Sequence, residues 1–147
     1  FNILKYAWGV GLDKSVTSVL SVDGAHVLLS TRNELGAEFL AQIQRRSRKY
    51  NSGTIIITQQ PTDFAAPNLI MHGKAIFDTA SYYLVMGLKK QAVDDLSLLI
   101  DLNEAEKNNI KYYNQGQGLF ICGARRMQIY VICTNEELDS FGSGGGL

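Results

Sequence analysis

The chain has 147 residues, enough for one domain and no more. With 46% hydrophobic and 19% charged residues it has the composition of an ordinary soluble globular protein, and a domain of this size buries roughly two-thirds of its unfolded surface. Lys plus Arg and Asp plus Glu each number 14, so overall charge gives no pull toward nucleic acid or an anionic membrane, and no apolar run approaches the roughly 20 residues of a membrane span.

The chain opens Phe1-Asn2-Ile3-Leu4 without an initiator Met, which leads us to expect a piece of a longer or trimmed protein. Apolar positions Ile3, Leu4, Ala7, Trp8 and Val10 predict a helix over 2–10, broken by Gly9, Gly11 and Asp13. The run Val16-Thr17-Ser18-Val19-Leu20-Ser21-Val22 predicts a first strand that ends in Asp23, followed by Gly24-Ala25-His26. Thr31-Arg32-Asn33 offers capping side chains for a helix over 34–50, with Leu35, Phe39, Leu40 and Ile43 as its inner stripe. Asn51-Ser52-Gly53 stops that helix, and Gly53 is the expected left-handed cap.

Thr54-Ile55-Ile56-Ile57-Thr58 is a β-branched run that predicts a strand buried on both faces, as in a parallel sheet. It ends at Gln59-Gln60-Pro61, and residues 62–72 read as a connection with a short helix. Ser81-Tyr82-Tyr83-Leu84-Val85-Met86 predicts a third strand, and helix follows over 89–99. Asp101-Leu102-Asn103-Glu104 has capping-box spacing and opens a helix to about Tyr113. Two further strands, Leu119 to Cys122 and Gln128 to Cys133, flank Gly123-Ala124-Arg125-Arg126 as a β-hairpin. Both cysteines fall in these runs, outside any zinc spacing, and are expected as buried reduced thiols. Residues 138–147, with Gly142-Ser143-Gly144-Gly145-Gly146, are expected as a flexible tail.

This order is an α/β pattern: parallel early strands joined by helical crossovers, and an antiparallel hairpin extending one side of the sheet. If the first two strands are parallel, Asp23 and Gln59 emerge at the same sheet edge. A metal-holding carboxylate beside an amide that can orient a water is a phosphoryl-transfer arrangement. The plain alternative is a turn aspartate and two loop amides. The run Arg45-Arg46-Ser47-Arg48-Lys49 is the densest charge cluster. It reads as a solvated helix end complementing the dipole, as an arginine finger toward a neighbour's nucleotide, or as a phosphate-backbone contact. Arg125 and Arg126 read as exposed turn residues.

Three segments in series, Ser21-Val22-Asp23-Gly24-Ala25-His26, then Gln44-Arg45-Arg46-Ser47-Arg48-Lys49-Tyr50, then Ile56-Ile57-Thr58-Gln59, resemble the ATPases of type IV secretion and conjugative transfer. These are the VirB/TraE-type branch of RecA-like motors, related to FtsK and HerA. Gly73 to Ala80, the start Leu102-Asn103-Glu104 and Gly116-Gln117-Gly118-Leu119 follow in matching order, so the resemblance covers about residues 3–137. It implies the C-terminal half of a RecA-like P-loop NTPase core: a mainly parallel sheet with helices and a late antiparallel hairpin. It implies ATP and Mg as ligands, Asp23 as the Walker B aspartate holding the metal, Gln59 as sensor of the γ-phosphate, and Arg48 as a finger acting across a subunit boundary. It further implies a homo-oligomer of hexameric-ring type, channel proteins as partners, and a cytoplasmic site peripheral to the inner face of a bacterial membrane. Nucleic acid is the least supported partner.

Two departures stand out. The family's Walker B pair is Asp-Glu, and Gly24 occupies the Glu position, where it can neither accept a proton nor orient a water. No GxxxxGK[ST] loop occurs in the sequence; Gly73-Lys74 is followed by Ala75, and Asn68 stands where the first glycine would be. Efficient hydrolysis is therefore not expected, and a degenerate, non-catalytic assembly module is the rival reading.

Overall fold

The computed structural model describes residues 2–11, 13–27 and 34–142. Helix α1 (Asn2–Gly11) leads into strand β1 (Ser18–Val22), and α2 (Glu34–Arg46) with a 3-10 turn (Ser47–Tyr50) leads into β2 (Ser52–Ile56). Helices α3 (Thr62–Ala65) and α4 (Ile70–Thr79) then precede β3 (Tyr82–Met86). Helices α5 (Lys90–Leu96) and α6 (Glu104–Tyr112), the hairpin β4 (Gln117–Cys122) and β5 (Arg125–Tyr130), and α7 (Asn135–Phe141) complete the chain. The cap expected at Thr31-Arg32-Asn33 lies outside the described residues.

β1 and β2 pair in parallel, from Ser18 opposite Ser52 to Val22 opposite Ile56, with α2 as the crossover between them. The strand-helix-strand order demands this, since parallel neighbours need a crossover of a dozen or more residues. β3, β4 and β5 form a separate antiparallel sheet in that spatial order. The hairpin thus joins β3 rather than extending the β1–β2 pair. Its two-residue turn, Gly123-Ala124, places Gly123 at φ 57, the left-handed region that favours glycine.

Each sheet has its own core. Leu40, Ile43, Phe64, Leu69 and Ile76 gather where α2, α3 and α4 meet the inner face of β1–β2. Val85, Val93, Leu96, Ile110, Leu119 and Ile121 fill the space between the antiparallel sheet and α5–α6. Phe77 packs against both. Its ring meets Phe64 edge-on at 5.3 Å and stacks with Tyr83 at 6.0 Å, while its carbonyl accepts the Tyr83 hydroxyl at 2.5 Å.

Several local expectations are corrected. β2 is not covered on both faces: Ile55 is 52% exposed, and Val19, opposite Gly53 on β1, is 63% exposed, because α2 covers one side only. The left-handed residue before β2 is Asn51 (φ 54), not Gly53. The Asn51 N–H donates to the Ser47 carbonyl and its side-chain amide to the Thr17 hydroxyl, bonds that Gly53 could not supply in full. The capping box of α6 sits two residues later than its spacing suggested. Asn103 is the cap and Glu106 its reciprocal partner, because Leu102 is needed in the core. Cys133 is exposed and Cys122 half-buried, both free, since β5 ends at Tyr130 before reaching Cys133. α7 continues to Phe141, into the segment expected as tail, held at its start by a capping box between Thr134 and Glu137.

The connection expected over 62–72 holds α3 and the start of α4, which runs on to Thr79 through Gly73, a residue of low helical propensity. The structure shows why glycine is there. A Cβ on Gly73 would lie 2.2 Å from the Phe64 carbonyl oxygen, so the close approach of α3 to α4 requires its absence. Gly73→Ala is expected to cost about 1–3 kcal/mol of stability, as forced overpacking typically does, measured by urea unfolding. A wild-type midpoint would contradict the packing described.

Candidate functional site at the strand ends

The first two strands carry the candidate site because their ladder continues past the last paired residues. Ile57 N–H donates to Val22 C=O at 2.8 Å, and Ala25 N–H donates to Ile57 C=O at 3.0 Å. Ala25 is fully buried, so the chain is pinned on both sides of Asp23-Gly24. Asp23 is left exposed at the carboxyl end of β1. Its Oδ1 accepts the Gly24 N–H at 2.8 Å, which leaves its other oxygen directed to no protein partner among the described residues. Gly24 makes the bend at φ +64.

Beyond β2, the Thr58 hydroxyl accepts the Gln60 N–H at 3.2 Å and turns the chain outward. Gln59 and Gln60 are exposed on this turn before the buried Pro61. The parallel register therefore brings Asp23 and Gln59 to one rim. In open α/β sheets, ligands bind outside the carboxyl ends of the strands.

The rim suits a particular kind of metal binding. Among the described residues no group of three or more His, Cys, Asp and Glu side chains could hold an ion by itself. A single free carboxylate matches Mg²⁺, which keeps most of its waters and is held by one or two carboxylates together with substrate phosphates. His26 is exposed nearby; a Cβ on Gly24 would stand 3.5 Å from its Cε1, so there is room for a side chain, but on backbone that disfavours one.

Arg48 is not part of this rim. It lies on the 3-10 turn that precedes β2, at the opposite end of the sheet. The Ser47 hydroxyl is buried and donates to the Gln44 carbonyl at 3.1 Å, and Asn51 closes the turn. Six residues of strand separate Asn51 from Ile57, about 20 Å at strand rise. Arg48 therefore cannot serve the Asp23 rim of its own molecule. Its Nη2 donates to the Ser81 hydroxyl at 2.8 Å. Lys14 and Lys49 lie 5.5 and 6.0 Å from the Tyr50 ring, and Trp8 meets that ring edge-on at 5.8 Å.

The hairpin arginines are exposed, as expected, but they open β5 instead of lying in the turn, and Arg126 has partners. Arg125 is exposed. Arg126 pairs with Glu106 at 2.8 Å and donates to the Asp101 carbonyl at 2.9 Å. Glu106 is only 8% exposed and also accepts the Asn103 N–H in the α6 capping box. Sequence gave no signal for this network or for Ser81, because both join residues 20 or more apart that no periodicity connects.

The chain is thus an α/β segment with Asp23 and Gln59 at one rim of a parallel pair, a basic turn at the other rim and a separate antiparallel sheet. The chain is similar to the solved structure of VirB4 of Thermoanaerobacter pseudethanolicus, with 31% sequence identity and a TM-score of 0.83 over 93% of this chain. No protein-family profile and no curated protein matches it. In sequence and in three dimensions, then, the chain resembles the C-terminal part of the type IV secretion ATPases. It spans 37% of the VirB4 chain that it matches.

Arg126→Ala is expected to lower unfolding free energy by about 2 kcal/mol, because it strands the Glu106 carboxylate. Arg125→Ala should stay within about 0.5 kcal/mol of wild type. Equal effects in urea titrations would contradict a structural role for Arg126 alone.

Proposed function

We propose that this chain is the strand-end region of an ATPase that energises type IV secretion or conjugative transfer of DNA or protein. The observation that carries this reading is the shared rim of Asp23 and Gln59, in a chain that resembles that family. The Asp23 carboxylate would hold the Mg²⁺ of bound MgATP. The metal, when bound, neutralises charge on the phosphates. The Gln59 side-chain amide, on the turn pinned by Thr58, would contact the γ-phosphate and orient the attacking water. The phosphate-gripping loop would come from outside this sequence. Arg48, on the opposite rim, would reach the nucleotide of a neighbouring copy, so the working form is a ring of subunits of hexameric type. Its partners would be the channel proteins of the secretion apparatus, and its place the cytoplasmic face of a bacterial membrane. Among the described residues no helix is long and apolar enough to cross a membrane.

Gly24 favours slow turnover. Gly24 offers no carboxylate beside Asp23 to take the proton of the attacking water. This same observation supports the second reading, a degenerate ATPase retained as an assembly module that binds nucleotide without consuming it.

In the intact protein, Asp23→Asn should weaken Mg-dependent ATP binding about tenfold or more, consistent with loss of a metal-holding carboxylate. Isothermal calorimetry with and without Mg²⁺ tests this, and unchanged binding would remove Asp23 from the site. Gly24→Glu separates the two readings. A gain in steady-state ATP turnover of about 100-fold, the scale of a restored general base, supports the motor, and none supports the assembly module. Because φ at Gly24 is +64, the substitution should also cost about 1–2 kcal/mol of stability, a cost that Gly24→Ala shares without any gain in turnover.

A further inference from the structure

We propose that Ser81 is a positioning residue for Arg48, holding the guanidinium in place for a phosphate on a neighbouring subunit while leaving its charge intact. This inference rests on the trans role assigned to Arg48 above.

Among the described residues, Arg48 and Arg126 have their guanidinium ends held by other parts of the fold, and they are held in opposite ways. Arg126 meets a buried carboxylate and a backbone carbonyl. Its charge is compensated, and its donors are occupied in joining β5 to α6. Arg48 has no carboxylate within ion-pair distance among the described residues, and its partner is the neutral Ser81 hydroxyl. A guanidinium presents five N–H donors in a rigid fork, so one bond to a hydroxyl fixes its direction and leaves four donors and the full positive charge. A carboxylate at the same place would fix the direction but cancel the charge that a phosphate needs. Serine is thus chemically suited to hold a finger that must act elsewhere.

Both ends of this contact are anchored. On the Arg48 side, the buried Ser47 and the left-handed Asn51 close the 3-10 turn, and Asn51 is tied to Thr17. On the Ser81 side, Ala80 N–H donates to the Phe77 carbonyl at 3.0 Å, and β3 begins at Tyr82. Arg48 and Ser81 are 33 residues apart, so their meeting depends on packing of α4 and β3 against the first sheet. An arginine on an exposed turn otherwise samples many rotamers, and ordering such a long side chain costs entropy when it engages a ligand. Ser81 supplies part of that ordering in advance, which is how a positioning residue raises the affinity of a contact that it does not itself make.

The test uses the intact protein and reads assembly rather than turnover. Oligomer formation is measured by sedimentation velocity with Mg²⁺ and a slowly hydrolysed ATP analogue, and again with ADP. The analogue should drive association of wild type, and Arg48→Ala should abolish that gain. Ser81→Ala should weaken analogue-driven association about five-fold, the worth of one ordinary net hydrogen bond. Ser81→Thr, which keeps the hydroxyl, should restore it. In the Arg48→Ala background, Ser81→Ala should change nothing further. If Arg48→Ala itself leaves analogue-driven association at the wild-type level, the trans role falls, and this inference with it. If Arg48→Ala acts but Ser81→Ala equals wild type, or weakens association equally in both backgrounds, the trans role stands and the positioning role of Ser81 is overturned.

Discussion

Two backbone hydrogen bonds, from Ile57 N–H to Val22 C=O and from Ala25 N–H to Ile57 C=O, fix the rim that carries Asp23. They extend the parallel ladder one step past its last paired residues and bind the segments that follow β1 and β2 to each other. Asp23 and Gly24 are spanned by this pair of bonds and have no freedom to move to the other face of the sheet. Parallel strands have one carboxyl rim, and a one-residue slip would exchange the faces of every side chain along β2. The inner positions Val22, Leu20 and Ile56 pack on the core beneath α2, which prevents such a slip. Hydrophobic register and active-rim geometry are thus the same constraint.

The second constraint is aromatic. Phe64, Phe77 and Tyr83 form a chain of ring contacts from the first core into the second, and such pairs contribute about 0.5–1.5 kcal/mol each beyond the area they bury. Phe77 lies on α4, the helix whose close approach to α3 depends on Gly73. The glycine that resembles part of a phosphate-binding loop in the sequence is in fact a packing residue. It lets α4 settle, α4 places Phe77, and Phe77 locates β3 and with it Ser81. The far rim of the first sheet is therefore connected to the second sheet by ordinary core packing.

The parts that could be read in the sequence were those governed by local periodicity. The β-branched run 54–58, the amphipathic stretch 34–50 and the turn at 123–126 each state their type of element over a few residues, though the helix proper ends at Arg46, β2 is Ser52–Ile56 and the turn is two residues long, and from their order the parallel pair and the hairpin follow. Asp23 and Gln59 were legible because they stand at strand ends, where position alone assigns a rim. The illegible parts depend on meetings between distant residues. Gly53 and Asn51 are both plausible left-handed residues, and only the reach of Asn51 to Thr17 decides between them. Asp101 and Asn103 both have an acid three positions on, and only the burial of Leu102 fixes the frame of α6. The coverage of β2 could not be read either, because a run of isoleucines has the same sequence whether one or both faces are packed.

Charge is balanced over the chain but not over the first sheet. Lys14, Arg45, Arg46, Arg48 and Lys49, five of the 14 basic residues, precede the strands and stand at their amino rim, while Asp23 and the amides of Gln59 and Gln60 stand at the carboxyl rim. Such polarity is of little use within one molecule, since the strand length keeps the two rims about 20 Å apart and surface charges interact weakly beyond a Debye length of about 10 Å. It becomes useful when the amino rim of one copy faces the carboxyl rim of the next, a heterologous contact that closes into a ring if the rotation allows. In the proposed ring, a nucleotide at the carboxyl rim would add negative charge where the neighbour presents positive charge, so ligand binding and subunit association would reinforce one another. Gly24 leaves this coupling untouched, because it removes the means of taking a proton and none of the charges that draw the rims together. Under the proposed reading, a chain with glycine at this position would lose rapid turnover and still keep nucleotide-dependent assembly, so that assembly and hydrolysis would be separable.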